Sequence, residues 1–272
     1  MTHRRRSALI LACLLCTVAL GCGGSTPAPE SKAAAPAPAP APAPAAPLRV
    51  LASNGVREAM QAVQKQIETE IGRPLNAEFS TAIGLKRRID EGETFDVIVL
   101  TPSIVDDLEA KGVVAKNTRV DIARTGVGVG VPANAPKADV STPEGLKRTI
   151  LAAKTVAYTA EGQSRATVDK ALATLGIADV VAKKAMVTGP GEGPAAVAAG
   201  KADLVMTLIS EILVPGVQLL GPFPEQMQTY IVFTAAKNAK TTDPAADALV
   251  RALAGPVVAQ SLKDHALDAL AH

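Results

Sequence analysis

The sequence predicts an α/β protein with two lobes, each built on a mostly parallel sheet flanked by helices. From residue 48 onward, short apolar segments typical of buried strands alternate with longer segments whose apolar residues recur at helical spacing. Short loops join these segments, which favours parallel strands with right-handed crossovers. The strands are too numerous for one compact sheet of this kind, so two sheets are expected.

The first three strand-and-helix units are predicted between residues 48 and 112. In order they are strand 48–53, helix 54–71, strand 75–80, helix 82–91, strand 95–100 and helix 101–111. Gly72 ends the first helix and Pro74 follows it, as expected at a helix C-terminus. Thr101 and Pro102 supply an N-cap and a first-turn proline for the third helix.

Residues 124–131 alternate glycine with valine and are predicted to form one strand. Gly126, Gly128 and Gly130 do not make a dinucleotide-binding motif. The third glycine is misplaced, and Pro132 stands where the helix of that motif would begin.

A second set of units follows from residue 141. The predicted elements are a helix from 142, strand 155–159, a helix ending at 175, strand 186–187, a helix after the glycine-rich turn 189–194, strands 202–208, 217–220 and 229–233, and two closing helices from 243.

The N-terminus is predicted to be a lipoprotein signal peptide spanning residues 1–21. Three arginines precede an apolar run that is too short to span a bilayer. The run ends at Gly21-Cys22, which resembles a bacterial lipobox with Cys22 as the lipidated residue. Cys13 and Cys16 would be removed with the signal, so the mature chain keeps one cysteine and forms no internal disulfide.

Residues 22–47 are predicted to be a linker rich in proline and alanine. Proline fixes φ and removes hydrogen-bond donors, so the segment extends as polyproline II. At ~3.1 Å per residue it would hold the folded part up to about 65 Å from the membrane.

The composition excludes a nucleic-acid partner. Of the 28 basic residues, Arg4, Arg5 and Arg6 lie in the signal, which leaves 25 against 26 acidic residues and a charge near −1. Aromatic residues make up only 2% of the chain, whereas surfaces that bind single-stranded nucleic acid rely on aromatic stacking.

Several stretches together carry a family resemblance. They are residues 50–53, 79–89, 95–97, 156–176 and 255–260. Their order and spacing, over nearly all of 48–270, resemble those of type II periplasmic binding proteins, and most closely the molybdate-binding receptors of ABC transporters.

The resemblance implies a two-lobed fold with a two-strand hinge and with ligand in the cleft between the lobes. Lobe 1 is expected to comprise residues 48–131 and 228–272, and lobe 2 residues 132–227.

Four junctions between a strand and a helix carry small or hydroxyl residues. Helix N-termini present unpaired amides and a partial positive charge, which suit anions, and ligands of open α/β sheets bind beyond the carboxyl ends of strands. The candidate ligand-binding residues at these junctions are Ser53, Asn54, Gly55, Ser80, Thr81, Ala82, Gly162, Ser164 and Gly191. Arg165 is a further candidate, because its guanidinium could pair with a carboxylate; the alternative is a solvated surface arginine.

The resemblance implies an oxyanion held by two serine hydroxyls, a tyrosine hydroxyl and backbone amides. Here the serine positions fall on Gly55 and Ala82, and the tyrosine position falls on Leu208, which completes the set of candidates. A buried dianion that lacks donors is destabilised by several kcal/mol. The expected ligand is therefore a molybdate-like oxyanion or, given the lost hydroxyls, a small organic anion.

The family further implies a monomeric receptor that delivers its solute to an ABC permease of the cytoplasmic membrane. It would be held outside the cytoplasm, in the periplasm or at the cell surface, by its lipid anchor. The alternative is a lipoprotein that presents its ligand to a sensor, or an envelope adaptor, without transport.

No catalytic, cofactor or metal site is expected. The sequence contains no HExxH, P-loop or GxSxG motif, and two of its three histidines, His265 and His272, lie at the C-terminus. The protein is therefore predicted not to be an enzyme.

Overall fold

The computed structural model describes residues 46–270. The strands are β1 (Leu48–Ser53), β2 (Leu75–Ser80), β3 (Val97–Leu100), β4 (Val120–Thr125), β5 (Val127–Pro132), β6 (Val156–Thr159), β7 (Ala185–Thr188), β8 (Leu204–Leu208), β9 (Val217–Pro222), β10 (Ile231–Lys237) and β11 (Asp268–Ala269). The α-helices are α1 (Arg57–Ile71), α2 (Ala82–Asp90), α3 (Pro102–Ala110), α4 (Pro143–Ala152), α5 (Gln163–Thr174), α6 (Ala178–Ala182), α7 (Glu192–Ala198), α8 (Ile209–Ile212), α9 (Pro244–Leu253) and α10 (Pro256–Asp264).

The predicted signal peptide, Cys22 and nearly all of the predicted linker lie outside the described residues. Within residues 46–270, no helix is both long and apolar enough to cross a membrane.

The strands form two sheets, and helices flank both. The first sheet has six strands in the order β11-β4-β10-β3-β1-β2, and the second has five in the order β7-β6-β8-β5-β9. The two-lobed α/β fold is thus confirmed. Here lobe 1 means the part built on the six-stranded sheet, and lobe 2 the part built on the five-stranded sheet.

Both sheets are mixed, which corrects the expectation of mostly parallel sheets. β1 pairs in parallel with β2 and β3, and β6 pairs in parallel with β7 and β8. The chain passes from the first sheet to the second after β4 and returns before β10. The strands that follow these passages, β5 and β10, pair antiparallel with all their neighbours. They do not enter their sheets through a helical crossover, which is the connection that makes neighbouring strands parallel.

The segment predicted as one strand over 124–131 is divided at Gly126. β4 ends before this glycine and belongs to the first sheet, whereas β5 follows it and belongs to the second. The chain therefore passes from the first sheet to the second at Gly126, five residues before the expected lobe boundary at 131. Gln228 lies on the segment between β9 and β10, which leads back to the first sheet. Its side-chain oxygen accepts from the Val127 amide at 2.8 Å, and its side-chain nitrogen donates to the Val127 carbonyl at 2.8 Å.

Three short elements have no counterpart in the sequence-based prediction. They are α6, α8 and β11, of five, four and two residues. Such segments are too short to show a helical or strand period. One of them, α8, contributes to the candidate site.

Candidate ligand-binding cleft

A cleft lies between the two lobes, where the carboxyl ends of β1, β2, β6 and β8 approach the first turns of α2 and α5. Its empty space is about 370 Å³, part of which is open to solvent. The lining residues are Ser53, Asn54, Thr81, Ala82, Thr159, Gly162, Gln163, Ser164, Gly191, Leu208, Glu211 and Ile231. Segments that are far apart in sequence therefore meet at one site.

Eight of the eleven predicted residues line this cleft: Ser53, Asn54, Thr81, Ala82, Gly162, Ser164, Gly191 and Leu208. Gly55, Ser80 and Arg165 do not. The structure thus brings together residues from all four predicted junctions, and their contact with a ligand stays a prediction.

Gly55 is buried beneath the cleft and permits close packing there. A Cβ atom at this position would lie 2.4 Å from Cζ of Phe233 and 2.8 Å from Cδ1 of Leu208. The Gly55 carbonyl accepts a hydrogen bond from the Ser210 hydroxyl at 2.8 Å, which joins the two lobes. Its part in the site is to let the segment after β1 pack closely against Phe233 of β10 and Leu208 of β8.

Arg165 contacts both its own helix and β6, where its Nη1 atom donates to the Thr159 carbonyl at 3.4 Å. Its Nε atom donates to the carboxylate of Asp169, one turn further along α5, at 2.7 Å, and its guanidinium lies 4.8 Å from the ring centroid of Tyr158. Pairs spaced by four residues face each other on a helix surface. Arg165 is half-buried and lies outside the cleft lining, and its contact with a ligand stays a prediction. Ser80 ends β2 and is half-buried outside the cleft lining.

Asn54 places an unpaired donor in the cleft. The residue is 7% exposed, and its Oδ1 atom accepts from Nη2 of Arg57 at 2.6 Å, which fixes the orientation of the amide. The other amide atom, Nδ2, is buried and has no hydrogen-bond partner among the described residues. A buried donor without an acceptor is unfavourable, so this geometry suits a ligand that supplies one.

The first turns of α2 and α5 supply further donors. Thr81 caps α2 by accepting from the Gly84 amide at 3.1 Å, and Gly162 precedes α5 with φ at +117° and no side-chain cap. The earliest amides of a helix have no carbonyl partner within the helix. Both helix ends therefore present free N–H groups and a partial positive charge to the cleft.

Glu211 is a functional candidate that the sequence analysis missed. It lies on α8, and its carboxylate accepts a hydrogen bond from the Thr207 hydroxyl. Burial raises the pKa of the Glu211 carboxyl, although the Thr207 hydrogen bond and the charge of Arg57 oppose that rise. Thr159, Gln163 and Ile231 were also missed. For Gln163 a signal existed, since it stands between two predicted residues.

Replacing Glu211 by glutamine is expected to change how stability depends on pH. A raised carboxyl pKa means that the folded protein holds its proton more tightly, so the free energy of unfolding falls as pH rises from the ordinary value of 4.5 through the folded-state pKa. The glutamine variant lacks this component, so its stability relative to wild type should increase with pH over that range. Urea unfolding between pH 4 and pH 8 measures the difference, and a difference that stays constant contradicts a buried acid here.

A polar contact bridges the two lobes at the rim of the cleft. The Thr81 hydroxyl donates to Oε1 of Glu161 at 3.4 Å, and Nη1 of Arg87 lies 3.6 Å from Oε2 of the same carboxylate. The Arg87 side chain is 61% exposed, so this ion pair contributes little to stability. Its effect is to place the lobes in contact around the cleft.

The cleft also has apolar lining residues. Leu208 and Ile231 are each 5% exposed and line it with the methyl group of Ala82. In residues 46–270, no group of three or more His, Cys, Asp or Glu side chains is arranged to hold a metal ion. The cleft thus combines anion-binding donors with an apolar surface, an arrangement suited to a ligand that has both an anionic group and a hydrocarbon part.

Residues 48–266 match the family model for bacterial extracellular solute-binding proteins. The chain belongs to this family. Among its relatives is an aconitate isomerase from a Pseudomonas species, which is 30% identical over 236 residues; the alignment covers 81% of this chain and 87% of the relative.

Solved structures of binding proteins have the same fold as this family member. The periplasmic molybdate-binding protein of Azotobacter vinelandii superposes with a TM-score of 0.67 at 15% identity, covering 81% of this chain and 98% of that protein. The sulfate-binding protein SubI of Mycobacterium tuberculosis gives a TM-score of 0.64 at 15% identity, covering 82% and 86%. Together with the family match, these structures confirm the resemblance to type II binding proteins. Because the sequence identity is only 15%, they show the fold and not the ligand.

Proposed function

We propose that this protein is an extracytoplasmic receptor that binds a small organic anion in the cleft between its lobes. One observation carries the proposal: the unpaired Nδ2 donor of Asn54 lies in a cleft that also holds the first turns of α2 and α5. These groups favour an anionic ligand, and the family is one of solute-binding proteins.

An organic anion fits this cleft better than a tetrahedral oxyanion. Ala82 and Leu208 give an apolar surface where the resemblance implied hydroxyl donors, and Glu211 adds a carboxyl group. A carboxylate repels a compact dianion, and an apolar wall leaves some of its oxygens without donors. A carboxylate ligand with a hydrocarbon part can place that part against the apolar wall and beside Glu211, and so hold its charge at the donors.

Thermal-shift measurements on the purified protein test the proposal. The chain has no tryptophan, so an external dye or calorimetry is needed. A ligand at about 100 times its Kd adds ~2.7 kcal/mol, or roughly 5–10 °C for a domain of this size. Organic carboxylates are expected to produce such a shift, and molybdate, tungstate and sulfate are not. A shift with oxyanions alone contradicts the organic-anion assignment.

In the cell, the receptor is proposed to act as a monomer, tethered through a lipid on Cys22, and to deliver its solute to an ABC permease. Presentation of the ligand to a sensor without transport is the alternative role. Replacing Cys22 by alanine should release the protein from the membrane fraction. Deletion of the partner permease should then abolish uptake of the solute if the role is transport.

A second candidate function is isomerisation of an unsaturated carboxylate. Two observations favour it: the relative that is 30% identical over most of both chains is named as an aconitate isomerase, and Glu211 places a carboxyl of raised pKa in the cleft. Such a group can hold and transfer a proton near a bound substrate. This candidate shares the carboxylate-binding site but departs from the expectation that the protein is not an enzyme.

Proton NMR separates the two functions. Each geometric isomer of aconitate is incubated with the purified protein, and the other isomer is sought in the spectrum. A receptor binds without converting its ligand. An isomerase produces the second isomer, and the Glu211→Gln variant should then bind but convert at least about a hundredfold more slowly. Absence of conversion by wild type contradicts the isomerase.

A further inference from the structure

We propose that the cleft binds a ligand with two anionic groups, one at the first turns of α2 and α5 and the other at Arg57. The inference rests on the proposed small-anion function and specifies the class of ligand as a dicarboxylate or tricarboxylate. It follows from a second chamber beside the cleft and from the Arg57 guanidinium, which lines that chamber without a carboxylate within 4.0 Å.

The second chamber adjoins the cleft directly. Its empty space is about 320 Å³, part of which is open to solvent. Asn54, Gly191 and Glu211 line both spaces, whereas Arg57, Glu58, Ser210 and Val214 line the second chamber alone. A single ligand can therefore extend from one space into the other past these three shared residues.

Arg57 is a half-buried cation with no carboxylate within 4.0 Å, although the Glu211 carboxyl lies near enough to interact with its charge. Every other described arginine that is not exposed has a carboxylate within 4.0 Å: Arg49, Arg73, Arg88, Arg119 and Arg165. Arg57 has none. Its known partners are the neutral oxygens of Asn54 at 2.6 Å and Phe79 at 3.5 Å, and its guanidinium lies 5.6 Å from the Phe79 ring centroid.

The guanidinium also retains unused hydrogen-bonding capacity. Its Nε atom is buried and has no partner among the described residues. A partly buried charge with an unsatisfied donor is unfavourable unless an anion approaches it. A planar guanidinium matches a carboxylate well, because two parallel N–H groups can donate to its two oxygens.

The two sets of donors define the ligand. The helix ends and Nδ2 of Asn54 serve one anionic group, and Arg57 serves the other. Glu211 lies in the wall that both chambers share, so the part of the ligand that passes it must be uncharged, as the hydrocarbon segment between two carboxylates is. A single carboxylate or a tetrahedral oxyanion occupies only one of the two positions.

Titration calorimetry with paired ligands tests this inference. The panel sets succinate, glutarate, tricarballylate and the two aconitate isomers against butyrate, valerate, molybdate and sulfate. We expect at least one polycarboxylate to bind more tightly than every monocarboxylate and oxyanion. The Arg57→Met variant should lose about thirtyfold or more in affinity for that ligand. The control variant Arg148→Met removes the same charge from an exposed position on α4 and should bind as wild type does.

Each outcome bears on a different claim. Monocarboxylates or oxyanions that bind as tightly as the polycarboxylates overturn the two-anion site and leave an anion receptor standing. Equal affinities of Arg57→Met and Arg148→Met for the best polycarboxylate overturn it as well. Binding of no anion at all contradicts the proposed function, and the two-anion site with it. Circular dichroism of each variant separates a lost contact from a lost fold.

Discussion

Replacing Asn54 by aspartate is expected to weaken anion binding about a hundredfold while the protein stays folded. The side chains have the same shape, and the retained oxygen keeps its contact with Nη2 of Arg57, which is 2.6 Å long in wild type. The variant loses the Nδ2 donor and gains a negative charge where the ligand binds. A hydrogen bond to a charged group is worth ~1.5–3 kcal/mol, and repulsion adds to its loss. Calorimetry with the tightest-binding ligand measures the change.

Asn76→Asp is the matched control for that variant. Asn76 is exposed near the start of β2, at the opposite end of the strand from the cleft, and the substitution changes the net charge by the same amount. The affinity of the Asn76→Asp variant for the ligand should stay within about twofold of wild type, because solvent and salt screen an exposed charge that lies far from the cleft. Equal affinities of the two variants would place the ligand away from Asn54.

Replacing Gly55 by alanine is expected to lower the free energy of unfolding by about 3 kcal/mol. The added Cβ would lie 2.4 Å from Cζ of Phe233, which is fully buried and held by the core of lobe 1. An extra methyl group in a packed core forces neighbouring side chains off their rotamers at ~1–3 kcal/mol, or more where the backbone must move. Urea unfolding measures the loss.

Gly72→Ala provides the comparison for the Gly55 variant. Gly72 ends α1 with φ at +66°, and a Cβ there would meet nothing within 4 Å. Its replacement therefore carries only the strain of a left-handed conformation, ~1 kcal/mol. A loss at Gly55 no larger than that at Gly72 would show that Phe233 and Leu208 can make room for a methyl group without penalty.

Most elements and most of the cleft lining could be predicted because their signals are local. Apolar periodicity marks the strands and the longer helices, and the caps Thr81, Thr142 and Asp243 accept hydrogen bonds from first-turn amides as sequence rules expect. Residues at strand-to-helix junctions meet in one cleft because carboxyl ends of parallel strands share an edge of the sheet. That rule needs no knowledge of distant contacts.

The features that the sequence did not predict depend on contacts between separate segments of the chain. β5 was placed in lobe 1, although its hydrogen-bonding partners are β8 and β9. Glu211 lies on a helix of four residues, which is too short for a periodic pattern to reveal. None of these outcomes depends on residue type alone.

Residue patterns within short segments were enough to predict the α/β class, the two-lobed plan and the junctions that line the cleft. The tertiary packing was needed to show which sheet β5 joins, that no carboxylate lies within 4.0 Å of Arg57 and that Glu211 is half-buried beside Thr207. Whether a charge is paired or desolvated depends on which distant segments pack around it. Local residue patterns therefore predict where the site lies, whereas the charge and burial of its side chains depend on how distant segments pack together.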